Sequence, residues 1–266
     1  MPDGRPDAMS DAILTESAAA GGTLPRGRAG WGFWSTAAWG LGTFLLSSLA
    51  PLPVIFAVLR WRGADAVSPA SFEAALHSSA LVVATLTLSS LPVTILLLAL
   101  AARLARIPIA EYLALKPVGG RTIGFAVACA IAYGAATDIS GYAAGRGLTV
   151  PWVQELYATG RVSGLLWLVL LAVIVAAPVG EELMFRGFLF RGWAASRLGV
   201  PGTIVLTSAL WAGDALQYDA VTMGEIFGLG LLLGYLRARS GSSLPTIVAH
   251  SAYGLAAMIQ AMIIAA

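Results

Sequence analysis

Glu181 and Glu182 stand side by side in Ala177-Pro178-Val179-Gly180-Glu181-Glu182-Leu183-Met184-Phe185-Arg186-Gly187-Phe188, directly after a long apolar run. A carboxylate in apolar surroundings is suited to general acid–base work. On a helix Glu182 lies one turn before Arg186, in the favourable acid-before-base order, and Glu181 points about 100° away. The spacing therefore predicts that Glu182 pairs with Arg186 and that Glu181 is left for chemistry. Pro178 removes a backbone donor and loosens the helix just before the pair. The competing reading is an interfacial helix start. Acids there are stabilised by the helix dipole, and an i,i+4 pair is a common surface feature.

Two further segments hold polar groups among apolar ones. His250 sits in Pro245-Thr246-Ile247-Val248-Ala249-His250-Ser251-Ala252-Tyr253-Gly254 and reads either as a packing residue or as a catalytic one. Trp211 and Asp214 lie in Ala209-Leu210-Trp211-Ala212-Gly213-Asp214-Ala215-Leu216-Gln217-Tyr218-Asp219. There the Trp beside small residues favours close helix packing, and Asp214 reads as a helix-end acid. Asp138 is similar, His77 reads as interfacial, and Tyr218 fits an aromatic interface belt. Gly141-Tyr142-Ala143-Ala144-Gly145 matches a small-xxx-small helix-contact pattern. Cys129 lies in an apolar stretch with no motif around it and reads as inert packing. No phosphate-binding loop, His-Glu-x-x-His or Gly-x-Ser-x-Gly occurs.

The elements that must position these residues are membrane helices. Of 266 residues, 58% are hydrophobic and only 11% charged, with mean hydropathy +0.81. A soluble domain carries about 25% charge, so an ordinary soluble enzyme and a disordered chain are excluded. A net charge of +2 is too balanced for a nucleic-acid partner. The single cysteine excludes an intramolecular disulfide and a cysteine-cluster metal site. A helix crosses the hydrocarbon in about 20 residues. Spans are expected at Phe33–Leu59, Ala80–Ala102, Thr122–Ala144, Val162–Ala177, Pro201–Leu216, Val221–Leu236 and Leu244–Ala266. An amphipathic continuation, Leu183–Leu198, is either the fourth helix running on or a separate interfacial piece. The fold class is thus an all-α polytopic bundle of about seven to eight transmembrane helices over residues 31–266. Residues 1–30, poor in large aliphatics, read as a flexible polar tail. With seven spans, the basic clusters Arg103/Arg106/Lys116/Arg121, Arg186/Arg191/Arg197 and Arg237/Arg239 share one side. The positive-inside rule then puts the N-terminus in the cytoplasm.

The three polar segments resemble the CPBP (Abi) intramembrane proteases, relatives of the type II CAAX prenyl endopeptidases. The family's Glu-Glu-x-x-x-Arg is present intact as Glu181-Glu182-Leu183-Met184-Phe185-Arg186. Its second motif, an aromatic residue followed by His four positions on, has Trp211 but Ala215 at the His position. Its third motif, His-x-x-x-Asn, has His250 but Gly254 at the Asn position. The resemblance covers roughly residues 160–260. It implies Glu181 as general base, Glu182 and Arg186 as its supports, and His250 as metal ligand or oxyanion donor. A divalent metal such as zinc is the cofactor it brings into view. Glu181 and His250 alone fall short of the three protein ligands usual for catalytic zinc. Asp214 is a replacement ligand in type, although one residue of helix turns it about 100° from the motif position.

The leading expectation is an endopeptidase-like protein of the bacterial inner membrane. It would use glutamate-activated water on a membrane-associated or lipidated peptide or protein, with the lipid bilayer as its medium. Ala215 and Gly254 leave three states open: a substituted form of an active enzyme, a natural pseudo-protease that binds a client, and a glutamate-dependent hydrolase that tolerates the losses. Alternatives on the same fold are a non-catalytic membrane binding or scaffold protein and a small transporter using Glu181, Glu182, Asp138 and Arg186.

Overall fold

The computed structural model describes residues 30–61, 79–148, 150–215 and 217–265. The tail reading at residues 1–29 and His77 lie outside them. The described chain is helical throughout: α1 Phe33–Leu49, α2 Leu52–Trp61, α3 Ala80–Leu104, α4 Ile109–Tyr112, α5 Gly120–Ala143, α6 Pro151–Val162, α7 Leu166–Ala194, α8 Gly199–Asp214, α9 Ala220–Ser240 and α10 Leu244–Ile264.

Six stretches are long and apolar enough to cross a membrane: Phe33–Ala57, α3, α5, α7, α9 and α10. Their outward faces carry bare apolar side chains, among them Leu96, Ile139 and Ile263, each more than two-thirds exposed. Contiguous apolar surface of this kind belongs in lipid, and the chain is an integral membrane protein. The fifth expected span, α8, has 16 residues. That is about 24 Å against a hydrocarbon core of about 30 Å, so α8 is a short helix rather than a full crossing. The first span breaks at Pro51 into α1 and α2. The Leu183–Leu198 stretch is not a separate interfacial piece, since α7 runs on unbroken to Ala194. α6, with Pro151 in its first turn, was absent from the expected set. Its twelve residues are too short for a span-length search, and its apolar positions are diluted by Gln154, Glu155 and Arg161.

α7 is the central helix, and every residue from Glu182 to Phe190 is buried. Phe188, Leu189 and Trp193 join Trp211, Leu229 and Leu233 in the main core. α7 also departs twice from α-geometry, over Ala172–Ala176 and Leu183–Leu189, where it widens into π-turns. The first lies directly before Pro178, whose missing N–H and ring clash with the preceding turn disrupt the regular bond ladder. The second contains Arg186. Such wide turns occur mostly where a helix has been reshaped around a site.

α8 and α9 pack closely because Gly230 and Gly234 present bare backbone. A Cβ on Gly230 would stand 2.8 Å from that of Ser208, and one on Gly234 2.9 Å from Ile204 Cγ2. This Gly230-x-x-x-Gly234 pair is the helix contact of the small-xxx-small kind. The expected one at Gly141 and Gly145 is not. Gly145 lies beyond the end of α5 at φ +78°, with open space where its Cβ would be.

The loops joining the helices sort into two ends. At one, Ser243 N–H donates to the Ala114 carbonyl at 2.9 Å, Ser242 Oγ to that of Lys116 at 2.7 Å, and Arg191 to that of Glu111 at 2.8 Å. At the other, Arg146 pairs with Asp219 at 3.1 Å and Glu225 at 3.2 Å. There Asp219 also caps α9 by accepting from Thr222 N–H at 2.8 Å.

Candidate functional site

α7 supplies both glutamates, from mid-helix rather than from an interfacial helix start. Glu182 and Arg186 are fully buried and form an ion pair at 2.7 Å. An uncompensated charge here would be very costly, and the two groups neutralise each other although Glu182 Oε2 and Arg186 Nε have no hydrogen-bond partner among the described residues. Arg186 also donates to the Gly230 carbonyl at 3.2 Å. Its guanidinium lies 4.7 Å from the Trp211 ring centre. The Arg186 carbonyl accepts from Arg237 Nε at 2.8 Å. His250 completes the arrangement, with Nδ1 3.2 Å from Glu182 Oε1, the oxygen that Arg186 holds. Glu182 therefore fastens α10 to α7, and Arg186 fastens α7 to α9.

Glu181 points elsewhere, as the helical offset predicts, but it is not without a partner. Trp211 Nε1 donates to its Oε2 at 2.5 Å. The Trp211 ring meets His250 edge-to-face at 5.1 Å. Trp211 thus links the three motif segments, being held by Arg186, Glu181 and His250 at once. Glu181 opens onto a cavity of about 430 Å³, whose wall also includes Asp214, Ala215, Tyr218, His250 and Gly254. The size suits a short peptide segment or a small ligand.

Helix register alone makes it hard for the α8 and α10 segments to meet. Trp211 is the thirteenth residue of α8 and His250 the seventh of α10. The structure resolves this by staggering the two starts. α8 begins at the surface beside exposed Arg197 and Leu198, whereas Ser242, Ser243, Pro245 and Thr246 at the start of α10 are buried. His250 consequently lies deeper than its position in the helix suggests.

The two departures from the family pattern have different surroundings. Ala215 closes α8 and faces the cavity, where a longer side chain has room. A Cβ on Gly254 would stand 3.1 Å from the Val173 carbonyl, in the first π-turn of α7. That backbone crowds the first atom of any side chain at this position.

Among the described residues, no group of three or more His, Cys, Asp and Glu is placed to hold a metal ion. The His250 ring nitrogen Nδ1 and the Glu182 carboxylate are turned towards each other, and Glu181 is engaged by Trp211. The donor set does not fit a three-ligand zinc site. Asp138 is not brought to Glu181. It accepts from Gln260 Nε2 at 3.0 Å in a second cavity of about 460 Å³. The two cavities share Val150, Val153, Tyr253 and Ala257 as a common wall. Tyr218 and Trp152 line the first cavity, and their rings meet edge-to-face at 5.4 Å. Tyr218, expected as a belt aromatic, is also a cavity residue. Its place three residues after Ala215 was the available signal. Trp152 arrives on α6 and could not be found without that helix.

Residues 163–256 match a family model described as Rce1-like, type II CAAX prenyl endopeptidase Rce1-like. An uncharacterized 24.3 kDa protein of Escherichia coli is 27% identical over 147 residues. The match covers 53% of this chain and 66% of that protein, just under two thirds of the relative's length. No solved structure matches. The stretch from 163 to 256 carries all three motif segments, and it is similar to the Rce1-like type II CAAX prenyl endopeptidases.

Proposed function

We propose that the chain is an intramembrane endopeptidase-type protein of the bacterial inner membrane, with Glu181 as its general base. The observation that carries this is the division of labour between the adjacent glutamates. Glu182 is consumed by Arg186 and His250, whereas Glu181 faces a cavity large enough for a peptide. In the reaction Glu181 takes a proton from water, and the resulting hydroxide attacks the carbonyl carbon of a peptide bond. The carbonyl π electrons move to oxygen and give a tetrahedral oxyanion. Its collapse breaks the C–N bond, and the proton held by Glu181 passes to the leaving amine. No step requires a metal.

The basic loop end, carrying Arg103, Lys116, Arg197 and Arg237, faces the cytoplasm by the positive-inside rule. The cavity wall is built from the opposite ends of the helices, with Trp152 near the start of α6, Asp214 at the end of α8 and Thr222 near the start of α9. The substrate is therefore a membrane-anchored peptide segment approached from the outer face, with the second cavity extending its path between α5 and α10.

The test is mass spectrometry of new protein termini in cells grown in H₂¹⁸O, comparing this chain with Glu181→Gln. Support is a set of termini that carry the label and vanish with Glu181→Gln. Termini that persist with Glu181→Gln would refute the assignment. The second reading, a client-binding protein that does not cleave, is favoured by Ala215 and Gly254. It is selected if no Glu181-dependent termini form while Ala215→His creates them.

A further inference from the structure

A glutamate base accounts for the attacking water and leaves the oxyanion to the donors of the cavity wall, which include the unpartnered Trp152 indole N–H. The second-motif position that would face it is Ala215, which has no donor. His250 has Nδ1 turned to Glu182, and the Trp211 N–H is taken by Glu181. Among the other hydroxyls on the cavity wall, Thr222 Oγ1 accepts from Arg146 at 3.1 Å. The Tyr253 phenol interacts with Thr137.

Tyr218 is differently placed. Its N–H donates to the Ala215 carbonyl at 3.1 Å. An i to i+3 bond of this kind brings the two Cα atoms within about 7 Å. Tyr218 and Ala215 thus stand close together on the wall of the cavity that Glu181 faces. The Tyr218 ring is held by Trp152. The side chain of Gln217 lies beside the phenol, whose O–H is a donor as well as an acceptor. Resting on the proposed endopeptidase reading, we infer that Tyr218 is a catalytic residue, its O–H donating to the oxyanion in place of the absent histidine at Ala215. Burial pushes the Tyr218 phenol well above its ordinary value, so it keeps its proton as a donor throughout the neutral range. Donors aimed at a developing oxyanion act most strongly in such a water-poor site.

The experiment is a cycle of four chains in cells, namely this chain, Tyr218→Phe, Ala215→His and the double variant, with Glu181→Gln alongside. Initial rates of formation of the Glu181-dependent termini are read by quantitative mass spectrometry at matched protein levels. Phenylalanine keeps the ring contact with Trp152, and equal melting temperatures confirm that folding is intact. Tyr218→Phe is expected to lower the rate about a hundredfold, the usual scale for one oxyanion donor. In the Ala215→His background the same change should cost under about threefold, because donors serving one oxyanion are not additive. A purely structural tyrosine would cost the same in both backgrounds. Equal costs, or a loss below about twofold in this chain, would overturn the inference while leaving Glu181 in its role. If no chain in the cycle yields Glu181-dependent termini, the endopeptidase reading falls and the inference falls with it.

Discussion

Replacing Arg186 by methionine is expected to be among the most damaging single changes in the molecule. Methionine keeps much of the apolar stem and deletes only the guanidinium. Three contacts go at once: the 2.7 Å ion pair with Glu182, the bond to the Gly230 carbonyl and the stack on Trp211. Glu182 stays fully buried, with His250 and the Thr246 hydroxyl beside its carboxylate. Breaking a buried pair from one side costs about 3–5 kcal/mol. The lost cation–π contact adds about 0.5–2 kcal/mol. The expected loss is about 4–6 kcal/mol, since contacts in one network do not add fully. Replacing both partners removes the stranded charge, so Arg186→Met with Glu182→Leu should recover to within about 2 kcal/mol of the parent. The assay is reversible unfolding in mixed micelles against mole fraction of SDS. A loss below about 1 kcal/mol for Arg186→Met, or a double variant as damaged as the sum of the singles, would refute the reasoning.

Other consequences follow from the same contacts. Gly254→Asn restores the family's residue type, but its Cβ meets the Val173 carbonyl at 3.1 Å. It should lower stability by about 1–3 kcal/mol and add no cleavage even beside Ala215→His; a rise in terminus formation would contradict this. The Asp219 carboxyl is held below its ordinary value, first by the Thr222 N–H, with Arg146 contributing. A depressed carboxyl stabilises above its unfolded value near 3.9 and loses that contribution as pH falls through the folded value. Asp219→Ala should therefore speed amide exchange in the first turn of α9 at neutral pH, and the difference from the parent should vanish in acid. A difference that persists there would show that the cap is not electrostatic. In a Cys129→Ser background, Gln217→Cys should react with a membrane-impermeant maleimide added to intact cells and Arg197→Cys should not. The reverse labelling would invert the assigned orientation.

Much of the fold was legible because lipid imposes one rule, that long apolar stretches become helices. Six span positions, the pairing of Glu182 with Arg186 and the turning away of Glu181 follow from hydropathy and from 100° per residue. What stayed hidden depends on depth and on contacts across helices. The stagger that lets Trp211 reach His250 comes from the burial of Ser242 and Ser243 beneath the Leu113–Lys116 turn, which no single helix records. Gly254 reads as a missing asparagine until the Val173 carbonyl is seen behind it. The π-turns widen α7 without changing its hydropathy. Tyr218 looked like a belt aromatic because interfacial tyrosines are common in membrane proteins. Its place on the cavity wall beside Trp152 is visible only in the folded chain.

The most direct measurement compares Glu181→Gln and Glu182→Gln in purified protein reconstituted into liposomes, recording cleavage of a terminus-derived peptide and melting temperature on the same samples. Glutamine at 181 still accepts from Trp211, so cleavage should vanish while the melting temperature holds within about 4 °C, the scale of 1 kcal/mol or less. Glutamine at 182 leaves Arg186 buried without its counter-ion, so both cleavage and melting temperature should fall. Cleavage that survives Glu181→Gln, or a melting temperature untouched by Glu182→Gln, would contradict the assignment of one glutamate to chemistry and its neighbour to holding the site together.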